Sequence, residues 1–284
     1  AAAAEALTQE LLSQSDDPTV AAALALGEAR KADIDATRRF AEPLFDEPQL
    51  DYFAYLAVGV ATTNAYLQHD PSQEEIPAEN QEDELLDQEA PESEEEAPNA
   101  PAPAPGDQLL ATAQASLREA AQAAPTAAPP HYWLAQIARH QEDTPAALEH
   151  LERAINAAAD HVASRLIAGQ IYYEQGDLND AAEYLGQIIE GLADAASGPE
   201  RSLAFHLMGM VHMARQESEE AIDMFTRALS TDSSRVDTLR VLAEEYERAK
   251  MYEEALNFFT TNQNLGQEDP EVMLGIVRSH MGLE

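Results

Sequence analysis

Histidine and carboxylate side chains are the residues of this sequence that could carry out acid–base or metal chemistry. The chain has eight histidines, and the closest pair on one predicted helix, His206 and His212, is separated by six residues. That spacing places the two rings on different faces of a helix, which does not suit joint metal ligation. The sequence contains no glycine-rich phosphate loop, no His-Glu-x-x-His motif and no Gly-x-Ser-x-Gly motif. We therefore predict no catalytic residues, no metal site, no cofactor and no enzymatic activity.

The net charge excludes several other classes of function. Among 284 residues, 53 acidic side chains face only 16 basic ones, for a formal charge of −37. A nucleic-acid backbone would be repelled rather than neutralised, and an anionic membrane surface is disfavoured for the same reason. The chain has no cysteine, so disulfides and thiol chemistry are excluded. It has no apolar run long enough for a transmembrane segment.

The basic residues are strongly biased in type, since only Lys31 and Lys250 are lysines among the 16. An acidic, lysine-poor surface resembles proteins of halophilic organisms, in which salt screens the self-repulsion. An acidic bacterial protein encoded by a GC-rich genome would show the same bias. Both explanations remain open.

One stretch, residues 70–107, differs in composition from the rest of the chain. It holds 14 acids, no base and seven prolines, and it ends in an alternating Pro-Ala run. Low hydrophobicity and like charge cannot offset the entropy of ordering such a segment. We predict a disordered acidic insertion or linker here. It carries −14 of the charge and leaves −23 on the remaining residues.

A repeated pattern of small and large apolar residues follows this stretch. Four alanines recur at steps of 34, 40 and 34 residues, each followed four positions later by a large apolar residue on the same helix face. A small residue also lies twelve positions before each alanine, which predicts a first helix that closely approaches a second. Gly176 suits the left-handed turn between two such helices. The pairs are Ala147 and Leu151, Ala181 and Leu185, Ala221 and Phe225, and Ala255 and Phe259, and the earlier small residues are Ala135, Gly169, Gly209 and Ala243.

This combination of period and small–large pattern resembles the tetratricopeptide repeat. The resemblance implies an all-α, right-handed superhelical solenoid of antiparallel helix pairs. We expect degenerate N-terminal helices in 1–69 and an array over 108–284. The predicted repeats span about 128–161, 162–201, 202–235 and 236–269, with a final helix at 270–284.

The acidic stretch is predicted to interrupt a repeat rather than to separate two domains. Ala113 and Leu117 reproduce the second-helix pattern, whereas the missing first helix has its best match before the acidic stretch, around Gly59. The stretch would then be an insertion in the turn between two paired helices. Two domains joined by a tether remain the alternative.

In the tetratricopeptide repeat family the first helices line a concave surface, and the resemblance implies that this surface binds a partner. We predict a non-catalytic scaffold or adaptor that holds a peptide or helix of another protein in this groove. An ordinary solvated inner face is the alternative for these positions. The predicted groove residues are Tyr132, Gln136, Arg139, His140, Leu166, Gln170, Tyr173, His206, Met210, Met213, Arg240, Glu244, Glu247 and Arg248.

Two other functions remain open, namely a cell-envelope assembly component and an acidic chaperone that binds basic proteins through net charge. The compartment is accordingly the cytoplasm or the periplasm and cell envelope. The acidic stretch itself has three interpretations: a solvated spacer, a recruiter of a basic partner, or a segment that folds back onto Arg139, Arg240 and Arg248 and blocks the groove.

Overall fold

A computed structural model describes residues 52–68, 105–265 and 269–284, together with Ala21, Ala22, Ala25, Leu26, Ala41 and Leu44. Within these ranges eleven α-helices can be followed from end to end, and no described residue forms a β-strand. The helices are α1 (Tyr52–Leu67), α2 (Pro105–Ala123), α3 (Ala128–His140), α4 (Thr144–Ala157), α5 (Val162–Gln175), α6 (Leu178–Gly186), α7 (Gly198–Ala214), α8 (Ser218–Thr231), α9 (Val236–Arg248), α10 (Tyr252–Asn264) and α11 (Pro270–Leu283). The all-α prediction is confirmed.

Some predicted boundaries can be compared with these helices. The predicted helices before residue 52 lie outside the described residues, apart from six isolated positions, and so do residues 70–104 of the predicted acidic stretch. Its last three residues, 105–107, belong to α2 rather than to a linker. Helix α7 begins at Gly198, inside the predicted repeat 162–201.

The chain divides into two compact units at the turn after Asp143. The first unit contains α1 to α3 and the second contains α4 to α11. The predicted repeat 128–161 therefore has its first helix in one unit and its second helix in the other.

In the first unit, α1 packs directly against α2. A methyl group built at Gly59 would lie 2.6 Å from the Leu117 side chain, so only glycine permits this approach. Val60, Leu117 and Leu134 meet in one buried core that joins α1, α2 and α3. The helices on either side of the acidic stretch thus form a pair. That the stretch is an insertion within one repeat stays a prediction.

The second unit repeats this small-against-large contact. Gly169 of α5 faces Leu185 of α6, and Gly209 of α7 faces the ring of Phe225 on α8. In the next pair Ala243 and Phe259 share a buried cluster. Three of the small residues singled out by the repeat pattern, Gly169, Gly209 and Ala243, are therefore places where paired helices touch.

Three further turns adopt the same geometry as the turn at Gly176, although they lack glycine. Gly176 has φ +84°, and Glu142, Gln216 and Lys250 have φ between 59° and 63°. In all four, the amide of the residue after the turn residue donates to the carbonyl five positions before it, as Asp177 N does to Tyr172 O at 2.9 Å. This is a Schellman ending of a first helix. The sequence indicated it only where glycine was present.

The longer 40-residue step is accommodated between α6 and α7. Helix α6 continues into a π-helical turn at Gln187–Gly191 before the chain reaches α7. Ser197 caps α7 by accepting a hydrogen bond from the amide of Glu200, whose carboxylate in turn accepts from the Ser197 amide. Pro199 lies in the first turn, as its position after Gly198 predicts.

The Gly209–Phe225 contact gives a direct test of helix closure. We expect Gly209→Ala to lower the free energy of unfolding by about 1–3 kcal/mol, because the new methyl would lie 2.5 Å from the Phe225 ring. Gly198→Ala in the same helix has no heavy atom within 4 Å of the new methyl. It should be neutral or stabilise by up to about 1 kcal/mol. Urea denaturation measures the free energy of unfolding of both variants. Equal values would contradict the close contact between Gly209 and Phe225.

Candidate partner-binding groove

The candidate groove of the second unit is built from first helices α5, α7 and α9. Each contributes two side chains three residues apart, which lie on one helix face. These are Gln170 and Tyr173, Met210 and Met213, and Glu244 and Glu247, and all six are partly buried. We call this set the groove face. It begins with an amide and a phenol, continues with two thioethers and ends with two carboxylates.

Leu166 was predicted to line the groove, but the structure places it in the core. Its side chain is 6% exposed and belongs to a buried cluster with Leu185, Ile188 and Leu207. Helix α5 turns this position toward the next first helix, so Leu166 is not available to a partner.

His206 was also predicted to face the groove, but it is held between helices. Its Nδ1 lies 2.9 Å from Thr238 Oγ1 on α9, and its ring centroid lies 5.7 Å from that of Phe225. Burial, reinforced by nearby Arg235, lowers the pKa of His206 from the usual 6.5 to about 4. The ring is therefore neutral at ordinary pH and links α7, α8 and α9.

The charged end of the groove face is paired within the chain. Arg240 Nη1 donates to Glu244 Oε1 at 2.8 Å, and Arg240 Nε lies 3.8 Å from Asp269 Oδ2. Arg248 pairs with the buried Glu245. Because Arg240 and Arg248 already have carboxylate partners, they offer the acidic stretch no uncompensated charge. This weakens the fold-back interpretation.

Three residues at this end were missed by the sequence analysis. A cavity of about 520 Å³ is lined by Tyr252, Glu271 and Arg278 together with Glu244, Glu247 and Arg248. Arg278 donates two hydrogen bonds to the Glu247 carboxylate, at 2.6 and 2.9 Å. Arg278 lies one 34-residue period after Glu244 and Glu271 one period after Asp237. Because Glu244 is a predicted groove residue and Asp237 is not, extending the repeat register into the final helix would have found Arg278 but not Glu271.

The predicted groove residues of the first unit lie on α3. Gln136 Nε2 donates to Tyr132 Oη at 2.9 Å, and the exposed His140 ring packs edge-on against Tyr66 of α1, with centroids 5.2 Å apart. Arg139 is partly buried. Separately, an apolar cavity of about 210 Å³ opens beside Tyr52, Phe53 and Trp133 in this unit. The sequence analysis did not predict it.

The described residues contain no cluster of three or more His, Asp or Glu side chains placed to hold a metal ion. Among the described helices, none has the length and apolar character that crossing a bilayer requires. What the second unit does offer is a row of apolar and amide side chains that ends in a charged cavity.

Two family sequence models match the chain over these helix pairs. The model described as anaphase-promoting complex, cyclosome, subunit 3 matches residues 108–188, and a tetratricopeptide repeat model matches residues 204–236. The second match covers most of α7 and all of α8, which close on the Gly209–Phe225 contact. The predicted resemblance to the tetratricopeptide repeat is thus supported by family models over parts of the chain. No curated protein of known function matches its sequence.

Solved structures of similar fold include Pseudomonas aeruginosa pilF, which is 19% identical, covers 62% of this chain and 78% of its own, and has a TM-score of 0.56. The APC/C hetero-tetramer Cut9–Hcn1 provides a chain 15% identical, covering 98% of this chain and 46% of its own, with a TM-score of 0.61. PilW, a type IV pilus biogenesis factor, is 19% identical over 62% of this chain and 80% of its own, with a TM-score of 0.50. At these identities the likeness establishes a tetratricopeptide-type fold.

The buried His206 predicts a specific loss of stability in acid. The unfolded chain binds a proton at this side chain near pH 6.5, whereas the folded chain does so only near pH 4. Its contribution is therefore present above pH 6.5 and is lost as the pH falls toward 4, by at most about 3 kcal/mol. The stability advantage of wild type over His206→Gln should shrink across this window in urea denaturation.

The exposed His280 provides the control for this measurement. Titrating carboxylates change the stability of wild type and of both variants, so the quantity compared is the difference between wild type and each variant at every pH. A pH-independent difference between wild type and His206→Gln would contradict the buried, neutral state of His206.

Proposed function

We propose that this tetratricopeptide repeat chain is a non-catalytic scaffold or adaptor whose groove face binds a peptide or helix of another protein. The observation that carries the proposal is the sequence of side chains along that face. Tyr173, Met210 and Met213 keep part of their surface exposed although each also packs on the core. Surfaces that bind proteins are rich in methionine, whose flexible side chain adapts to a partner, and in tyrosine, whose ring is a rigid contact.

The charged cavity beside Tyr252 adds directionality to this face. Its carboxylates Glu244 and Glu247 are already engaged by Arg240 and Arg278, whereas Glu271 is exposed at its rim. A bound segment would therefore place apolar side chains over the methionines and a polar or basic residue toward Glu271. This polarity would fix the orientation of the peptide.

The similar structures supply context for this proposal. The family match includes a subunit of a multiprotein complex, and the similar folds include one from a hetero-tetramer and a pilus biogenesis factor. All are proteins named for assemblies. An envelope assembly role for this chain is a second candidate, since PilW is described as a pilus biogenesis factor.

A displayed random-peptide library provides the probe for the groove. We expect the wild-type chain to select peptides with a shared apolar motif. Met210→Glu and Met213→Glu should each weaken the selected peptide at least about tenfold, because a carboxylate would be desolvated against apolar side chains. Thr226→Glu, at an exposed position of the second helix α8, is the matched control and should bind as wild type does.

Ionic strength separates this proposal from the acidic-chaperone alternative. Groove binding should change little between low and high salt, whereas binding through net charge should weaken steeply. Selection of lysine- and arginine-rich peptides that bind all variants equally and dissociate in salt would overturn the groove proposal. Failure to select any peptide would also count against it.

A further inference from the structure

The charged cavity of the second unit contains an ion pair that joins α9 to α11. Glu247 lies on α9 and Arg278 on α11, 31 residues apart in the sequence. The guanidinium donates from Nε to Glu247 Oε1 at 2.6 Å and from Nη2 to Oε2 at 2.9 Å. Two such hydrogen bonds to one carboxylate hold both groups in a fixed geometry and are stronger than a single contact.

The carboxylate of this pair is much less exposed than the guanidinium. The Glu247 side chain is 16% exposed, whereas the Arg278 side chain is 41% exposed. A carboxylate that has lost most of its contact with water needs a positive partner, because an unpaired charge in such a place is strongly destabilising. Glu247 therefore requires a cation, and the more exposed Arg278 is the cation that the chain supplies.

The other arginines near this carboxylate have carboxylate partners of their own. Arg240 pairs with Glu244, and Arg248 pairs with the buried Glu245. Removing the arginine of α11 would therefore leave Glu247 as a largely buried carboxylate whose two guanidinium hydrogen bonds are lost. A positively charged group that arrives from outside the chain would then have a site to fill.

The ion pair lies on the groove face, at positions that carry apolar side chains in α7. Counting back by one 34-residue period, Glu247 corresponds to Met213. Counting back by two periods, Arg278 corresponds to Met210. A segment bound along the groove face would thus pass from the two thioethers to the ion pair.

We propose that Arg278 determines the charge specificity of the groove, because it occupies the Glu247 carboxylate from within the chain and excludes basic side chains of a partner from it. The inference rests on the proposed groove function and adds the class of peptide that the groove accepts. Such a peptide carries apolar side chains over the methionines and neither arginine nor lysine at Glu247. The exposed Glu271 at the rim remains available to one polar or basic residue.

This exclusion matters in a chain with a net charge of −37. An acidic surface attracts basic segments with little regard to their sequence. A carboxylate that already holds an arginine through two hydrogen bonds attracts them less, and the arginine repels a like charge placed beside it. The apolar contacts along the groove face can then select the partner.

An arginine scan of a groove-binding peptide tests the proposal. The probes are the peptide that the wild-type chain selects from the displayed library and its variants with arginine at each position in turn. Arg278→Ala should bind at least one arginine variant about tenfold more tightly than the parent peptide, because the freed Glu247 carboxylate accepts the new guanidinium. The same substitution in the peptide should bring no gain with the wild-type chain. The gain should fall steeply as salt is added.

Three further variants separate this role from a structural one. Glu247→Gln combined with Arg278→Ala should abolish the gain, because the amide carries no charge. Arg278→Lys keeps a positive charge beside Glu247 and should suppress most of the gain. Arg227→Ala is the matched control, because it removes one positive charge from an exposed pair with Asp223 on α8, and it should show no gain. Circular dichroism and urea denaturation check that each variant is folded.

Each outcome decides the proposal. A gain that appears in Arg278→Ala and disappears in the double variant supports it. An equal response to arginine in wild type and Arg278→Ala overturns it while the wild-type chain still binds its apolar peptide, so the groove function stands. The same gain in Arg227→Ala also overturns it, because net charge would then explain the effect. If the wild-type chain selects no peptide, the groove function fails and this inference fails with it.

Discussion

The contact between a small residue on one helix and a large residue on the next is the constraint on which the fold depends. At Gly59, Gly169 and Gly209 the partner side chain occupies the space that a methyl group would need. Alanine and glycine bring the helix axes close, and leucine or phenylalanine fills the gap and excludes water. Because each contact joins only neighbouring helices, stability accumulates pair by pair along each unit. An acidic chain can therefore fold on thin, local cores.

The packing of each first helix against its neighbours also determines which of its side chains line the groove. One face of each first helix closes on its own second helix and another on the preceding pair, whereas the groove-facing side chains keep part of their surface exposed. This is why Tyr173, Met210 and Met213 are available, whereas Leu166 and His206 are not. The position of His206 is drawn inward because Thr238 of the next first helix supplies a hydrogen-bond partner. Polar links of this kind, including Arg215 to the carbonyl of Leu178, connect successive pairs.

The features that recur in every helix pair could be predicted from the sequence, whereas the features that belong to one pair alone could not. Ala181, Ala221 and Ala255 and the large residues after them recur at a fixed period, so helices, turns and closure points could be predicted from them. Gly275 is also a small residue in a first helix, but its contact is with the preceding Phe259 rather than with a following helix. The left-handed turns at Glu142, Gln216 and Lys250 carry no glycine signal. The burial of Leu166 depends on Leu185 and Leu207, which lie far away in sequence and which no local pattern reports.

The Gly59–Leu117 contact tests this account most directly, because it joins helices on either side of the acidic stretch. In a double-mutant cycle we expect Gly59→Ala to cost about 1–3 kcal/mol and Leu117→Ala about 2–5 kcal/mol. The double variant should lose at least about 1 kcal/mol less than the sum, because the smaller side chain at 117 leaves room for the new methyl. Free energies of unfolding that add without coupling would show that the two residues do not touch, and would contradict closure of the fold by small–large pairs.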